Sequence, residues 1–567
     1  MKALTMDYPL TLSAIVRRAE ALFGHKHVTS RLPDKSIRRH SYAEVIARAR
    51  RLAVALRGLG VQPGDRVATL GWNHHQHLEA YLAIPTIGAV LHTLNLRLHP
   101  NDLTYIVNDA SDHVLLVDES LLPLFEQFRS NVDIDRVIVM ARNGGAANGA
   151  HPTFARFTSY GGQADYEELI AAADPARYQV EECSENDAAA MCYTSGTTGR
   201  PKGVVHSHRA IVLHSLMSGM VDGLAIGESE TVMPVVPMFH VNGWGLPFSS
   251  VMNGANLVLP GPCLDAASLL ELCDRERVTF AAGVPTVWLG VLAALDSTPG
   301  AYNLKCLRTI MTGGAAAPVS LIQSFEQRHG LRMVHAWGMT EAAPVGSVCW
   351  APSDLDDASL SDRYAYRSKQ GPPVPLMEFR ARSEHGLVPW DGQTMGELEM
   401  RGPWVARAYY KGEGGRGKGD EHRGKADEGD DRFTDDGWFK TGDVVAISPR
   451  GCIDIRDRSK DLVKSGGEWI SSIALENALM GHPAIAEAAV VAVPHAKWDE
   501  RPLAVVVVKP GHNVTADELI KFLEPHFAKW WLPDAVAFVN QIPRTSAGKF
   551  RKSELRERFR AHYATPS

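Results

Sequence analysis

The sequence predicts an α/β protein: a large, multi-subdomain N-terminal region of mixed and parallel sheets flanked by helices, followed by a small α+β C-terminal domain. Three observations carry this. From about residue 40 onward, short runs rich in β-branched residues alternate with longer helical patterns, the rhythm of parallel strands joined by crossover helices. The chain has 567 residues, several times the length of one ordinary domain. After Asp443 the pattern changes to short strands (VVAISP, GCIDIRD) and then to a compact unit with helix, strand, strand, helix and strand signals.

The elements follow in order. Leu12, Ile15, Val16, Ala19, Leu22 and Phe23 recur at helical spacing, while Asp7, Arg17 and Arg18 interrupt any signal-peptide apolar run. Residues 42–60 read as a helix stopped by Gly58 and Gly60, with an arginine-rich face expected to be solvated. Strands are expected within 65–72, 89–95, 113–118, 136–141, 231–238 and 307–314. Residues 278–295 carry no charge over 18 positions, the lower limit for a bilayer span. Gly283 and Pro285 divide them into a buried strand and a helix with proline in its first turn, so no transmembrane segment is expected. Residues 411–432 hold 13 charged residues, 7 glycines and no large apolar side chain, which predicts a mobile surface insertion. In the last unit, 488–495 and 501–511 read as buried strands, and the domain boundary is placed between 457 and 458. The domains are thus 1–457 and 458–567.

Composition narrows the function. Apolar residues make up 45% and charged residues 22%, which excludes global disorder, collagen and a disulfide miniprotein. Lys plus Arg number 59 against 65 Asp plus Glu, without the positive excess that phosphate-backbone binding needs, so nucleic acid is not expected as a partner. Cysteines 183, 192, 263, 273, 306, 349 and 452 form neither a CxxC redox pair nor a zinc ribbon. A reducing, cytoplasmic setting is expected.

The strongest local signal is YTSGTTGRPKG, Tyr193 to Gly203. Thr194, Ser195, Gly196, Thr197, Thr198 and Gly199, with Arg200 and Lys202, combine glycines that let backbone N–H groups approach an anion, hydroxyl donors and cations. This reads as a polyphosphate loop. It is not the Walker loop, because Pro201 stands where that pattern has glycine. Further on, MFHVNGWGLP puts His240 and Trp244 four residues apart, aligned if the segment is helical. The histidine could meet a carboxylate and the tryptophan could gate an apolar cavity.

TSGTTGRPKG resembles the phosphate loop of the adenylate-forming enzymes: acyl-CoA synthetases, luciferases and peptide-synthetase adenylation domains. Trp337 to Glu341, WGMTE, is similar to that family's YGxTE motif, with tryptophan in place of tyrosine. Thr441 to Asp443 resembles its ribose motif, Arg458 in DRSKDLVKSGG its hinge arginine, and PRTSAGK its lysine motif ending at Lys549. VVPMFHVNGWGLP, AAGVPTVW, KDLVKSGGEWISS and HAKWDERPLAVVVV extend the resemblance over nearly the whole chain, to bacterial medium- and long-chain fatty acyl-CoA synthetases. The insertion before the ribose motif is a departure.

The resemblance implies a set of roles, and each has a physical reading. Glu341, with Thr197, would ligate Mg²⁺, which takes hard oxygen donors alongside substrate phosphates. Asp443 would accept from the ribose hydroxyls. Trp337 would stack on adenine, with Gly338, Met339 and Thr340 beside it, although a core aromatic is the commoner fate of a lone tryptophan. Gly313 and Gly314 would lie against the adenine and line the acyl pocket, and Trp244 would gate the fatty-acyl tunnel. Lys549 would contact the carboxylate and α-phosphate while the acyl adenylate forms, a step in which two anions must be brought together. The small domain would then rotate at Lys460 and present Ser465, Gly466 and Gly467 beside a pantetheine passage.

The implied function is an ATP- and Mg²⁺-dependent ligase joining a fatty acid to coenzyme A (CoA) through acyl-AMP, often as a homodimer. No carrier domain is expected in the 18 residues after Lys549, so the acceptor is a separate thiol. Three alternatives stand beside it: a CoA ligase for a short thioether acid such as methylmercaptopropionate, a luciferase-like oxygenase, and a noncatalytic acyl-nucleotide sensor.

Overall fold

Unbroken apolar strands need cover on both faces, and two large, mostly parallel sheets meet this demand. The computed structural model describes residues 4–140, 163–194, 200–410, 432–465, 468–544 and 550–563. The first sheet has eight strands in the order Val345–Cys349, Met333–Gly338, Thr309–Thr312, Phe280–Gly283, Thr231–Pro234, Asn256–Leu259, His27–Arg31 and Ile37–Ser41. The second has seven: Gln163–Asp165, Arg136–Met140, Val114–Asp118, Arg66–Leu70, Val90–Thr93, Ala188–Tyr193 and Gly203–Ser207. Interior neighbours run parallel. Antiparallel pairs close both edges of the first sheet and the Gly203–Ser207 edge of the second.

Helices fill the space between them. Every residue of His75–Thr86 is buried, and the helix packs on His27–Arg31 of one sheet and Val90–Thr93 of the other. The helix Tyr42–Gly58 opens with a capping box of Ser41 and Glu44. Its arginine face is not simply solvated, as expected from the sequence. Arg48 pairs with the buried Glu79 and with Glu167, Arg50 with Glu20, and Arg57 with Glu181. The uncharged run at 278–295 is the strand Phe280–Gly283 and the helix Pro285–Ser297, with proline in its first turn. No helix among the described residues is long and apolar enough to cross a membrane.

A third, antiparallel sheet runs Gly386–Leu387, Glu378–Ser383, Met395–Arg401, Phe439–Ile447 and Ile453–Arg458. The fourth takes all its strands from beyond residue 462: Glu468–Ile470, Val463–Ser465, Asp499–Val508 and Ile485–His495, with Ala535–Phe538 beside Asp499–Val508. Helices Ser472–Met480 and Ala516–Leu523 pack on it, in the element order read from the sequence. Of the expected insertion at 411–432, residues 411–431 lie outside the described residues.

Candidate active site

The expected phosphate loop joins two antiparallel strands, Ala188–Tyr193 and Gly203–Ser207, whose ends Tyr193 and Gly203 stand opposite each other. Its neck is tied twice. Thr194 N donates to Lys202 O at 2.9 Å, and Lys202 N donates to Thr194 Oγ1 at 3.2 Å. Tyr193 is fixed behind the neck by a 2.6 Å bond from its hydroxyl to Asp109. Ser195, Gly196, Thr197, Thr198 and Gly199 lie outside the described residues. The two cations beyond them rest on aromatic faces: Arg200 lies 5.2 Å from the Tyr105 ring centroid and Lys202 Nζ 4.5 Å from that of Tyr409.

Tyr409 leads to the second motif. Its hydroxyl donates to Glu341 Oε1 at 2.6 Å, and Ala406 N donates to Glu341 O at 2.7 Å. Glu341 sits in the short 3₁₀ turn Thr340–Ala342 and is buried. Before it, the strand shifts register between Trp337 and Gly338, and Met339 N donates to Pro344 O at 3.0 Å. A Cβ on Gly338 would stand 2.2 Å from that same carbonyl, so only glycine fits this tight return. A single buried carboxylate of this kind suits Mg²⁺, which keeps waters and substrate phosphates as its other ligands. Among the described residues no group of three or more His, Cys, Asp or Glu is arranged to hold a metal by protein ligands alone.

Asp443 lies within the strand Phe439–Ile447, directly opposite Arg458 on Ile453–Arg458. The triplet TGD is therefore a strand feature and not a turn. Arg458 Nε reaches Asp443 Oδ1 at 2.6 Å, and the indole N–H of Trp337 donates to Oδ2 at 2.9 Å. A carboxylate offers about four lone-pair sites, so acceptor capacity remains for a ribose. Trp337, expected to stack on adenine, is only 7% exposed. It meets Phe379 edge-on at 5.6 Å and covers Gly346, where a Cβ would stand 2.5 Å from the indole.

Gly313 follows the strand Thr309–Thr312. A Cβ there would lie 2.8 Å from Ala336 O and 3.4 Å from Trp244 Cη2; at Gly314, where φ is +80°, it would lie 3.8 Å from Trp244 Cζ2. The structure thus brings Trp244 against the glycine pair, with the Ala336–Trp337 backbone on the other side. The expected alignment of His240 with Trp244 on one helix face is corrected. Residues 241–245 have φ of +41°, +41°, +63°, +56° and +70°, a left-handed turn. Asn242 anchors it, donating from Nδ2 to Thr93 Oγ1 at 3.3 Å and lying 3.2 Å from Cys192 Sγ. His240 immediately precedes the turn, its carbonyl accepting from Gly243 N at 3.0 Å.

Lys460, at the expected hinge, is exposed at the end of the third sheet. Its carbonyl accepts from Arg556 of the terminal helix Lys552–Arg558 at 3.3 Å, and Arg556 also pairs with Asp461. The same helix places Lys552 Nζ 2.6 Å from Glu476 and 2.6 Å from Ser472 Oγ, whose hydroxyl in turn donates to the buried Asp457 at 2.5 Å. Ser465 is buried and accepts from Arg501 at 3.1 Å. Gly466, Gly467 and Lys549 lie outside the described residues. The sequence reading did not single out Tyr409, Asn242, Lys552 or Arg556. For Tyr409 the one available cue was its place in an aromatic pair just before the compositional break at 411.

Comparison with known proteins matches this arrangement to one family. The profile described as AMP-binding enzyme matches residues 17–410, and that of the AMP-binding enzyme C-terminal domain matches 474–549. The chain is 49% identical to a long-chain-fatty-acid–CoA ligase of Thermus thermophilus over 98% of this chain and 97% of that one. It is 40% identical to a medium-chain-fatty-acid–CoA ligase of Ectopseudomonas oleovorans over 98% and 97%. To a 3-methylmercaptopropionyl-CoA ligase of Ruegeria lacuscaerulensis it is 41% identical over 98% of each. Among solved structures, an anthranilate CoA ligase in complex with anthranoyl-AMP superposes with a TM-score of 0.83 at 24% identity, covering 100% of each chain.

Proposed function

This chain belongs to the AMP-binding enzyme family, and on that footing we propose that it activates a medium- or long-chain fatty acid as acyl-AMP and passes the acyl group to CoA. It is an AMP-forming acid–thiol ligase that uses ATP, Mg²⁺ and CoA. The observation that carries the substrate class is the indole of Trp244 lying against Gly313 and Gly314. It sets an apolar wall beside the backbone of the nucleotide motif, where an apolar acid must present its carboxylate.

The proposed roles follow from charge. A carboxylate oxygen attacks the α-phosphorus and pyrophosphate leaves; the CoA thiol then attacks the acyl carbonyl and AMP leaves. Mg²⁺, when bound, neutralises phosphate charge. Glu341, with Thr197, would hold it. Lys202 neutralises phosphate oxygens at the neck of the loop, with Thr194, Ser195, Gly196, Thr198 and Gly199 as donors. Asp443, held by Trp337 and Arg458, takes the ribose, and Gly338, Met339 and Thr340 wall the nucleotide. His240 meets the substrate carboxylate, and Lys549 stabilises the charge that develops between carboxylate and α-phosphate. The small domain, 458–567, turns at Lys460 so that 465–467 border the pantetheine. A homodimer in the cytoplasm belongs to the same proposal; all seven cysteines are free thiols, which suits a reducing compartment.

A short thioether acid is the second reading, favoured by the 41% identity to a 3-methylmercaptopropionyl-CoA ligase. Pyrophosphate release measured over acids from acetate to palmitate, and with methylmercaptopropionate, with and without CoA, decides among these. Release that peaks on octanoate to palmitate, with acyl-CoA formed in equal amount, is expected. A peak on methylmercaptopropionate would move the assignment to the second reading. Oxygen-dependent light without a CoA requirement would point to a luciferase-like oxygenase, and no release with any acid would sink the ligase.

A further inference from the structure

One helix reaches both arms of the phosphate loop. Pro100–Ala110 opens with proline and buries Leu103, Ile106, Val107 and Ala110, the face that packs on the second sheet. Tyr105 and Asp109 stand four residues apart, one above the other on its half-buried flank. Asp109 accepts the Tyr193 hydroxyl at 2.6 Å, where the chain enters the loop. The Tyr105 ring carries the Arg200 guanidinium 5.2 Å from its centroid, where the chain leaves it.

Tyr193 is fixed by more than its hydroxyl. Its ring packs on His92 with centroids 5.3 Å apart, and His92, fully buried, is held at 2.8 Å by Asp112, just past the end of the helix. Burial and the Asp109 carboxylate both raise the pKa of the Tyr193 phenol, which therefore stays protonated and remains a donor. Glycine loses more backbone freedom on ordering than any other residue, and in a glycine-rich loop this loss opposes ligand binding. Arms fixed in advance leave less to be ordered when a polyphosphate arrives.

We propose that the helix Pro100–Ala110 is a clamp for the phosphate loop, with Asp109 and Tyr105 as its positioning residues. Asp109 fixes the entering arm through the Tyr193 hydroxyl, and Tyr105 fixes the leaving arm through the Arg200 guanidinium. This rests on the ligase reading above. It assigns roles to two side chains outside the phosphate-loop, WGMTE, ribose, hinge and lysine motifs.

Triphosphate takes part in only one half-reaction, and this separates positioning from stability. Full-length wild type, Y193F, D109A, Y193F/D109A, Y105F and Y105L, each checked for folding by circular dichroism, are assayed in two ways. Pyrophosphate release is followed against ATP concentration with the acid that the wild type turns over best, and thioester formation is followed from synthetic acyl-AMP and CoA. Y193F and D109A are each expected to raise KM for ATP about tenfold, with kcat within about threefold of wild type. The double variant should do no worse than D109A, a cycle that isolates the pair from every other contact Asp109 makes. Y105L is expected to raise KM about threefold, and Y105F, which keeps the ring face, less than about twofold. All five variants should form thioester within about twofold of wild type, whereas a merely structural defect would lower both half-reactions together. A wild-type KM in Y193F, additive losses in the double variant, Y105F as impaired as Y105L, or thioester formation reduced as much as adenylation would overturn the inference. Should D109A fail to fold, Y193F in the two half-reactions decides. A wild type that releases no pyrophosphate with any acid would instead overturn the ligase reading on which it rests.

Discussion

The indole N–H of Trp337 donates to Asp443 Oδ2 at 2.9 Å while Arg458 holds Oδ1 at 2.6 Å, so both oxygens of one buried carboxylate are fixed from opposite sides. The family's motif has tyrosine at this position, and tryptophan retains an aromatic ring while aiming a donor at the carboxylate. Trp337→Phe keeps the ring and removes the donor. Leaving a buried acceptor unpaired typically costs about 1–3 kcal/mol, so KM for ATP is expected to rise about tenfold with a smaller change in kcat. The preference for ATP over 2′-deoxy-ATP should shrink with it. Steady-state kinetics with both nucleotides check this; an unchanged ratio would mean that Trp337 does not act through Asp443.

Lys549→Ala is expected to lower acyl-adenylate formation by about 10²- to 10³-fold, the usual cost of a lost charge-stabilising donor. Thioester formation from synthetic acyl-AMP should change far less under the proposed turn of the small domain at Lys460, which would withdraw the lysine for that half-reaction. Single-turnover assays of the two half-reactions separate these outcomes, and equal losses would count against the role.

At Gly313 any side chain meets the Ala336 carbonyl 2.8 Å away and the Trp244 ring at 3.4 Å. Gly313→Ala must therefore push Trp244 or the strand under Trp337. Overpacking of this kind costs about 1–3 kcal/mol, and kcat/KM is expected to fall about tenfold or more, most for the longest acids. A chain-length series on the variant reads this directly; a uniform loss would place the clash on the nucleotide side alone.

Burial holds four imidazoles far below their ordinary range: His77, His206 and His208 at about 4 and His214 at about 3. Two accept backbone N–H groups, His208 from Leu12 and His214 from Val345, so a proton on those nitrogens breaks a bond. With folded values depressed, the unfolded chain binds protons first. The stability they contribute is present above about pH 6.5 and is lost as pH falls toward 4, at roughly 1.4 kcal/mol per unit for each group. The thermal midpoint should drop steeply between pH 6.5 and 4.5, and His214→Gln should flatten that slope; a flat profile in the wild type would show that these sites take up no protons on unfolding.

Much of the fold was legible because its parallel strands are buried on both faces. Val114–Asp118 is buried at every position, and the apolar run Val114 to Val117 is its sequence signature; Val90–Thr93 is also buried throughout, although His92 and Thr93 break its apolar run. The site was legible where chemistry demands a contiguous string, as at 193–203 and 337–341. It was not legible where a partner arrives from far along the chain. Nothing local to Tyr409 says that it meets Glu341, and nothing near Asp443 says that its neighbour is an indole. The arginine face of Tyr42–Gly58 was misjudged for the same reason, since Glu79, Glu167 and Glu181 come from other elements. The handedness at 241–245 escaped because hydropathy spacing carries no sign: residues four apart look alike in a right-handed helix and in its mirror image.

That turn also bears on how such an enzyme changes its diet. Val241, Asn242 and Trp244 hold a backbone sense disfavoured by about 1–2 kcal/mol per residue in L-amino acids, and the surrounding packing must enforce it. Such a segment tolerates few replacements, because each one must suit the wrong-handed backbone as well as the neighbours. The gate proposed at Trp244 would thus be the least evolvable part of the proposed acyl site. Shifts in preferred chain length should arise in the residues facing Trp244, and attempts to retune specificity by design will find more room there than within 241–245 itself.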